Sequence, residues 1–269
     1  MKLSIVIAGE NAMPSSFSVM KGFEDSINKA ADFGYHGVEL ALKSASDINP
    51  VLLTKWLSRK NMEVSCISTG QVFSELGLYF TNSDYEKRKK VIEVFKGFVN
   101  LAGEFGKIIN IGRARGFIAS NQTRAECIRL FLDSLKVVYE EAVKKDVTLI
   151  IEPVNRYEIN FINNLDQGTE VIERSNLPNL GLMPDVFHMN IEDDRIGDSL
   201  IRNSRYIKYI HLADSNRLAP GKGHLDFNDV FSALIKMHYN GWVSVEILPK
   251  PDPLSAAQEA ANYLKPFII

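Results

Sequence analysis

Cysteine is scarce in this chain. Only Cys66 and Cys127 occur in 269 residues, far apart and without a Cys-x-x-Cys pair, so neither a disulfide framework nor a thiolate zinc site is expected, and a reducing cytoplasm fits. Charge of one sign is also missing: 31 Lys and Arg stand against 33 Asp and Glu, a net charge of −2. A phosphate backbone would find no basic excess, which argues against nucleic acid as a partner. The opening MKLSIVIAGENA has one lysine and a short apolar run that stops at Gly9-Glu10. It is too short for a membrane span and lacks a signal-peptide cleavage pattern, so it is read as a first strand, with no membrane partner. No Gly-x-Gly-x-x-Gly follows that strand, no Walker-type lysine loop occurs, and no low-complexity or Pro/Gly-rich linker divides the chain. The usual reasons for an open, doubly wound sheet are therefore absent, and residues 1–269 are expected to form one domain.

What is present is ordinary globular material, 45% apolar and 24% charged, enough for a chain of this length to bury roughly three quarters of its extended surface. Short β-rich runs alternate with longer helix-period segments. The runs are Lys2 to Ala8, His36 to Leu40, Glu63 to Ser68, Ile108 to Ile111, Thr148 to Glu152, Leu180 to Pro184, Ile207 to Leu212 and Trp242 to Ile247. Between them, Lys21 to Phe33, Asp84 to Phe105, Arg124 to Lys144 and Asn228 to Met237 repeat apolar residues three and four apart. Gly34, Gly106 and Gly241 fall where left-handed helix ends belong. Eight βα units of about 34 residues point to a closed (β/α)8 TIM barrel. The irregular stretch Thr69 to Asn82 is expected to cover its mouth.

Catalytic groups of such barrels sit at the carboxyl ends of the strands. Four consecutive runs end there in titratable residues: Glu152, Asp185, His211 and Glu246, spaced by 33, 26 and 35 residues. Taken singly, each is as well explained as a helix cap or a surface ion pair. In succession, each after an apolar run where an unpaired charge costs several kcal/mol, they imply a shared role. Three converging carboxylates repel one another unless a cation joins them. One imidazole with three carboxylates is a hard donor set, which favours Mn2+, with Mg2+ or Co2+ as alternatives, over a structural zinc.

The ordered motifs Glu152-Pro-Val-Asn-Arg-Tyr-Glu158, Asp185-Val-Phe-His-Met-Asn-Ile-Glu192, His211-Leu-Ala-Asp-Ser-Asn-Arg217 with Pro220-Gly-Lys-Gly-His224, and Val245-Glu246 resemble the sugar isomerase/epimerase superfamily with the xylose-isomerase-like barrel. Within it they are most similar to ketose 3-epimerases of the tagatose/allulose type. The resemblance spans essentially the whole chain. It implies one divalent metal per subunit on Glu152, Asp185, His211 and Glu246, with Glu152 and Glu246 also the acid/base pair. It assigns Glu158, His188 and Arg217 to the substrate, a small sugar or sugar acid, and by analogy implies a homodimer or homotetramer. The implied activity is inversion of C3 of a ketose or keto-sugar acid through a cis-enediolate, a step that needs a base on each face of the carbon. Aldose–ketose isomerisation on the same metal is the alternative. A DNA-repair endonuclease would require more than the five histidines present, and a sugar-binding barrel would need no flanking acids.

The chain departs from free-ketose epimerases after the fourth run, where Ile111-Gly-Arg-Ala-Arg-Gly116 replaces the aromatic residues expected there. Arg113 and Arg115 suit bidentate recognition of a carboxylate or phosphate, or else form a solvated basic loop. With Ser68-Thr-Gly-Gln71, this pattern is similar to the branch acting on keto-sugar acids. Glu158 has a local alternative in an ion pair with Arg156. Cys66 is read as a packing residue, His36 and His238 as structural, and Trp242 as core.

Overall fold

The eight apolar runs become parallel strands because helices cover both their outer face and their connections, leaving no solvated side for a polar alternation. The computed structural model describes residues 1–13 and 18–268. Its strands are β1 (Lys2–Ala8), β2 (Met20–Lys21), β3 (Gly37–Ala41), β4 (Glu63–Ser68), β5 (Ile108–Ile111), β6 (Thr148–Ile151), β7 (Gly181–Leu182), β8 (Tyr209–Leu212) and β9 (Trp242–Val245). The order is β7-β6-β5-β4-β3-β1-β9-β8, with the two-residue β2 added beside β1. Closure falls between β7 and β8, where Leu182 bridges Ile207 and Asp185 bridges His211, and His211 N donates to Pro184 O at 2.9 Å. The cylinder is the expected (β/α)8 barrel.

The helices are α1 (Phe23–Asp32), α2 (Pro50–Lys60), α3 (Gly70–Ser74), α4 (Tyr85–Glu104), α5 (Arg124–Lys144), α6 (Leu165–Ser175), α7 (Val186–Glu192), α8 (Ile196–Arg202), α9 (Phe227–Lys236) and α10 (Pro253–Leu264). Side-chain caps start most of them; Thr123 and Glu126 form a reciprocal capping box at α5, a device that satisfies two otherwise orphaned backbone donors. The same helix buries Cys127, Phe131, Leu135, Val138 and Ala142, a stripe at helical spacing. Phe131 meets Phe80 and Phe161 edge-on, and truncating a buried phenylalanine of this kind costs about 3–5 kcal/mol.

Three local expectations change. Lys21 belongs to β2, and α1 begins only at Phe23, after Gly22 turns the chain at φ 82°. Gly34 and Gly106 are left-handed as expected, but at the end of α9 the left-handed residue is His238, at φ 53°, rather than Gly241. Trp242 is only partly buried, with the Lys2 ammonium 5.1 Å from its ring. The stretch from Thr69 folds as α3 and a turn, with Phe73 and Tyr79 packed against Phe117 of the loop after β5. Among the described residues no helix is long and apolar enough to cross a membrane.

One irregularity matters for the interior. The β3–β4 register shifts between Val38 and Glu39, so that Val38 faces Val64 but Glu39 faces Cys66. Such a shift re-aims side chains. Consecutive residues Ser65 and Cys66 both come to lie beside Tyr209 inside the barrel. Cys66 is fully buried there with Ile150 and Met183, in the packing role expected of it.

Candidate metal centre

Glu152 follows β6, Asp185 caps α7 just beyond β7, His211 lies in β8 and Glu246 follows β9. These are four neighbouring staves of the closed barrel. All four side chains are buried, and one ligand atom from each lies within 4.8 Å of the others. His211 Nδ1 is 3.7 Å from both Glu152 Oε1 and Glu246 Oε2. Asp185 divides its oxygens: Oδ1 accepts the Phe187 N–H at 2.9 Å, capping α7, while Oδ2 has no hydrogen-bond partner.

Without a cation, the cluster relieves its own repulsion with protons and with the guanidinium of Arg217 beside Glu246 and Asp185. Burial first, then the charge of Glu246, pushes Glu152 up to about 8. Glu246 is also raised, because burial outweighs its attraction to His211 and Arg217. Burial opposes charging of His211, but Glu39, Glu246 and Glu152 together push it up to about 10. Burial likewise opposes ionisation of Asp185, yet His188 when protonated, Arg217, His211 and the Phe187 N–H hold it below the usual carboxylate range.

A divalent cation would take the place of those protons, since its ligands must be deprotonated to bind. Among the seven buried side-chain atoms that lack a hydrogen-bond partner in the described residues, Asp185 Oδ2 and His211 Nδ1 belong to this set. Buried polar groups are almost always satisfied. The two orphans, the spacing and the oxygen-rich donors fit a bound divalent metal.

Residues the sequence reading did not single out hold the cluster. Asn110, in β5, donates from Nδ2 to Glu152 Oε2 at 2.9 Å. Gly112 makes room for that carboxylate: a Cβ there would lie 2.7 Å from Glu152 Oε2. Beneath the cluster, Glu39 of β3 is fully buried and meets His211 Nε2 with both oxygens, at 2.9 and 3.0 Å.

The three expected substrate residues line the same space. A cavity of about 30 Å³ in front of the cluster is walled by Glu152, Glu158, His188, Arg217, Glu246 and Arg113, among others. Larger depressions of about 600 and 660 Å³ lie near Asn176–Leu180 and beside α1, but neither gathers a comparable set of acids and histidine, so chemistry outweighs size in locating the site. Burial pushes His188 down to about 3, leaving it neutral. Its tautomer follows from Asn155: the Tyr157 N–H occupies Asn155 Oδ1, so Nδ2 faces His188 Nδ1 at 2.7 Å and donates to it. The ring proton therefore sits on Nε2, toward Asp185 and Glu152. Arg217 donates to Glu246 and, at 3.3 Å, to Glu158, with its guanidinium 4.7 Å from the Phe187 ring centre.

Arg217 is held at φ 59° by a loop organised around Asp214. That buried carboxylate accepts the N–H groups of Ser215, Gly221 and Leu225. A Cβ on Gly223 would lie 2.2 Å from Asp214 Oδ1, so only glycine fits this approach. Arg156 pairs with Glu192 at 2.9 Å, not with Glu158, which is left to the site. The two arginines after β5 diverge. Arg113 lies at the rim, 3.9 Å from Glu158 Oε2 and over Phe73. Arg115 is fully buried and donates to the backbone carbonyls of Gly112, Phe161 and Ile162, each at 2.8 Å. It braces two rim loops, and those bonds direct it away from a ligand. His36 accepts the Leu3 N–H, as a structural histidine does.

Fold and site together define a TIM barrel with a cation-competent acid–histidine centre at its carboxyl rim. The chain belongs to the xylose isomerase-like TIM barrel family, whose sequence pattern matches residues 27–267. It is 27% identical over 228 residues to a probable ketose 3-epimerase of Synechocystis, covering 81% of this chain and 75% of that enzyme. It is 32% identical over 138 residues to the 3-dehydro-D-guloside 4-epimerase of Escherichia coli, covering 51% and 53% of the two chains. Its backbone superposes on a D-allulose 3-epimerase from Methylomonas with a TM-score of 0.85 at 21% identity, covering 99% and 98%.

Proposed function

We propose that this protein is a metal-dependent epimerase that inverts C3 of a ketose or keto-sugar acid, with Mn2+ as its ion and Mg2+ or Co2+ as substitutes. The observation that carries the reading is the pair of buried acids, Glu152 and Glu246, gathered with Asp185 and His211 in one cluster. They stand at the two ends of a four-strand arc, with Asp185 and His211 between them. Inverting a carbon beside a ketone requires a proton to leave one face and another to arrive on the opposite face. One of the two acids takes the proton and the other supplies it. A divalent ion on Glu152, Asp185, His211 and Glu246 would supply Lewis-acid polarisation of the substrate's carbonyl and neighbouring hydroxyl oxygens.

The remaining side chains orient the sugar. His188 presents its Nε2–H to a substrate oxygen, and Arg217 and Glu158, already joined, offer a donor and an acceptor to the carbonyl end. Arg113 stands at the rim to meet the far end of the substrate, where a carboxylate would pair with it. The similar 3-dehydro sugar 4-epimerase also carries, by its name, an inversion beside a ketone. Assembly as a homodimer or homotetramer in the cytoplasm completes the proposal by analogy with the family.

The test is a substrate panel of ketoses, aldoses, uronates and keto acids incubated with Mn2+ in heavy water and followed by NMR. Deuterium at an inverted C3 is expected. Inversion at another carbon relocates the chemistry, aldose–ketose interconversion establishes the isomerase alternative, and inversion with no solvent deuterium contradicts the two-acid route.

A further inference from the structure

Glu39 is a fully buried acid in the middle of β3, and nothing in the proton transfers above uses it. Burying a carboxylate costs several kcal/mol unless hydrogen bonds repay it. Its partners come from across the cylinder: β3 is separated from β8 by β1 and β9, yet Glu39 meets two β8 side chains. His211 Nε2 lies 2.9 and 3.0 Å from its oxygens, and Tyr209 Oη donates to Oε2 at 2.9 Å. A phenol has one proton. Since Tyr209 gives it to Glu39, it can only accept from its neighbours Ser65, at 2.7 Å, and Ser4, at 3.0 Å, and Ser65, which also donates to Ser4 at 3.0 Å, shares its single proton between the two. Glu39 thus sits at the end of a buried hydroxyl network that reaches it through the Tyr209 proton.

The consequence falls on His211. With Glu39 accepting at Nε2, that nitrogen must carry hydrogen, and Nδ1 is left to face Glu152, Asp185 and Glu246 with no other partner. In the opposite tautomer Nδ1 would point an N–H at the same spot and repel a cation. We propose that Glu39, supported by Tyr209, Ser65 and Ser4, is a positioning residue that fixes the His211 ring and tautomer so that Nδ1 is a metal ligand. This rests on the reading of the four-residue cluster as a cation site. Such outer carboxylates also make the imidazole a stronger ligand, and losing one typically weakens metal binding by about 10–100-fold.

Mn2+ affinity, measured by calorimetry on the folded, full-length chain, separates the possibilities. Glu39→Gln is expected to raise the Mn2+ Kd by about 10–100-fold with its circular dichroism unchanged. Tyr209→Phe, which keeps the carboxylate, is expected to stay within about three-fold of wild type. A Kd unchanged by Glu39→Gln overturns the positioning role while leaving the cation site standing, and equal losses in both variants reduce Glu39 to general support of a buried network. A wild-type chain with no Mn2+ affinity overturns the cation reading and this role with it. Should Glu39→Gln not fold, 15N-histidine NMR of the Mg2+-loaded wild type decides. A proton on His211 Nε2 is expected, and a proton on Nδ1 overturns the proposal.

Discussion

At the carboxyl rim, the arc from β6 to β9 presents Glu152, Asp185, His211 and Glu246, whereas β1, β3, β4 and β5 end in Ala8, Ala41, Ser68 and Ile111. The quiet arc contributes from below and behind. Glu39 and Ser65 reach inward from β3 and β4, Asn110 steadies Glu152 from β5, and Arg115 ties the loop after β5 to the loop after β6. One side of the barrel carries reacting groups at its edge, and the other carries the bonds that keep those groups in place. Such a division keeps the acids buried at the edge while hydrogen bonds from the opposite arc hold Glu152 and His211 in position.

The division is broken most severely by changing the reactive arc. Glu152→Gln or Glu246→Gln, each near-isosteric, is expected to lower kcat by about a thousand-fold with unfolding by urea nearly unchanged. Loss of stability with preserved turnover would contradict the assignment. Changing the supporting arc should do the reverse. Arg115→Met removes three bonds to buried carbonyls and is expected to cost about 3 kcal/mol in urea unfolding, with kcat of the folded enzyme kept within about three-fold. A stable variant with a raised KM for anionic substrates would instead make Arg115 a ligand.

A smaller effect tests the loop that carries Arg217. Burial would raise the Asp214 carboxyl, but backbone N–H groups of Leu225, Ser215, Gly223 and Gly221 outweigh it and hold it below its ordinary 3.8. A depressed folded value stabilises the native state above the unfolded value, and that stabilisation is lost as pH falls through the folded one. Asp214→Asn is therefore expected to be about 2 kcal/mol less stable at neutral pH. The gap should narrow as pH is lowered below about 4. A gap independent of pH would show that the charge on Asp214 does not hold the loop.

The reactive arc was legible in the sequence because each of its residues closes an apolar run at repeat spacing, and the barrel follows from the same runs. The supporting arc was not. Glu39 lies inside a run, at His36 to Leu40, where alternation alone cannot tell a polar residue facing the barrel interior from one facing outward, and the register shift at Val38 is visible only once β4 is in place. Asn110 is hidden for the same reason. Arg115 read as a twin of Arg113 because they are two residues apart, but Gly116, at φ 98°, lets the chain turn there, and the carbonyls that capture Arg115 belong to residues 161 and 162, some 46 residues along the chain. Arg156 and Glu158 misled less: Glu192 takes the arginine from a distance of 36 residues.

Equilibrium dialysis of the full-length chain against Mn2+ puts the acid–histidine centre to its most direct test. One ion per chain is predicted, and binding should collapse in Asp185→Asn, which leaves the capping oxygen of α7 in place but weakens the partnerless one. Absence of saturable binding by the wild type, or an undiminished ion in Asp185→Asn, would contradict the account.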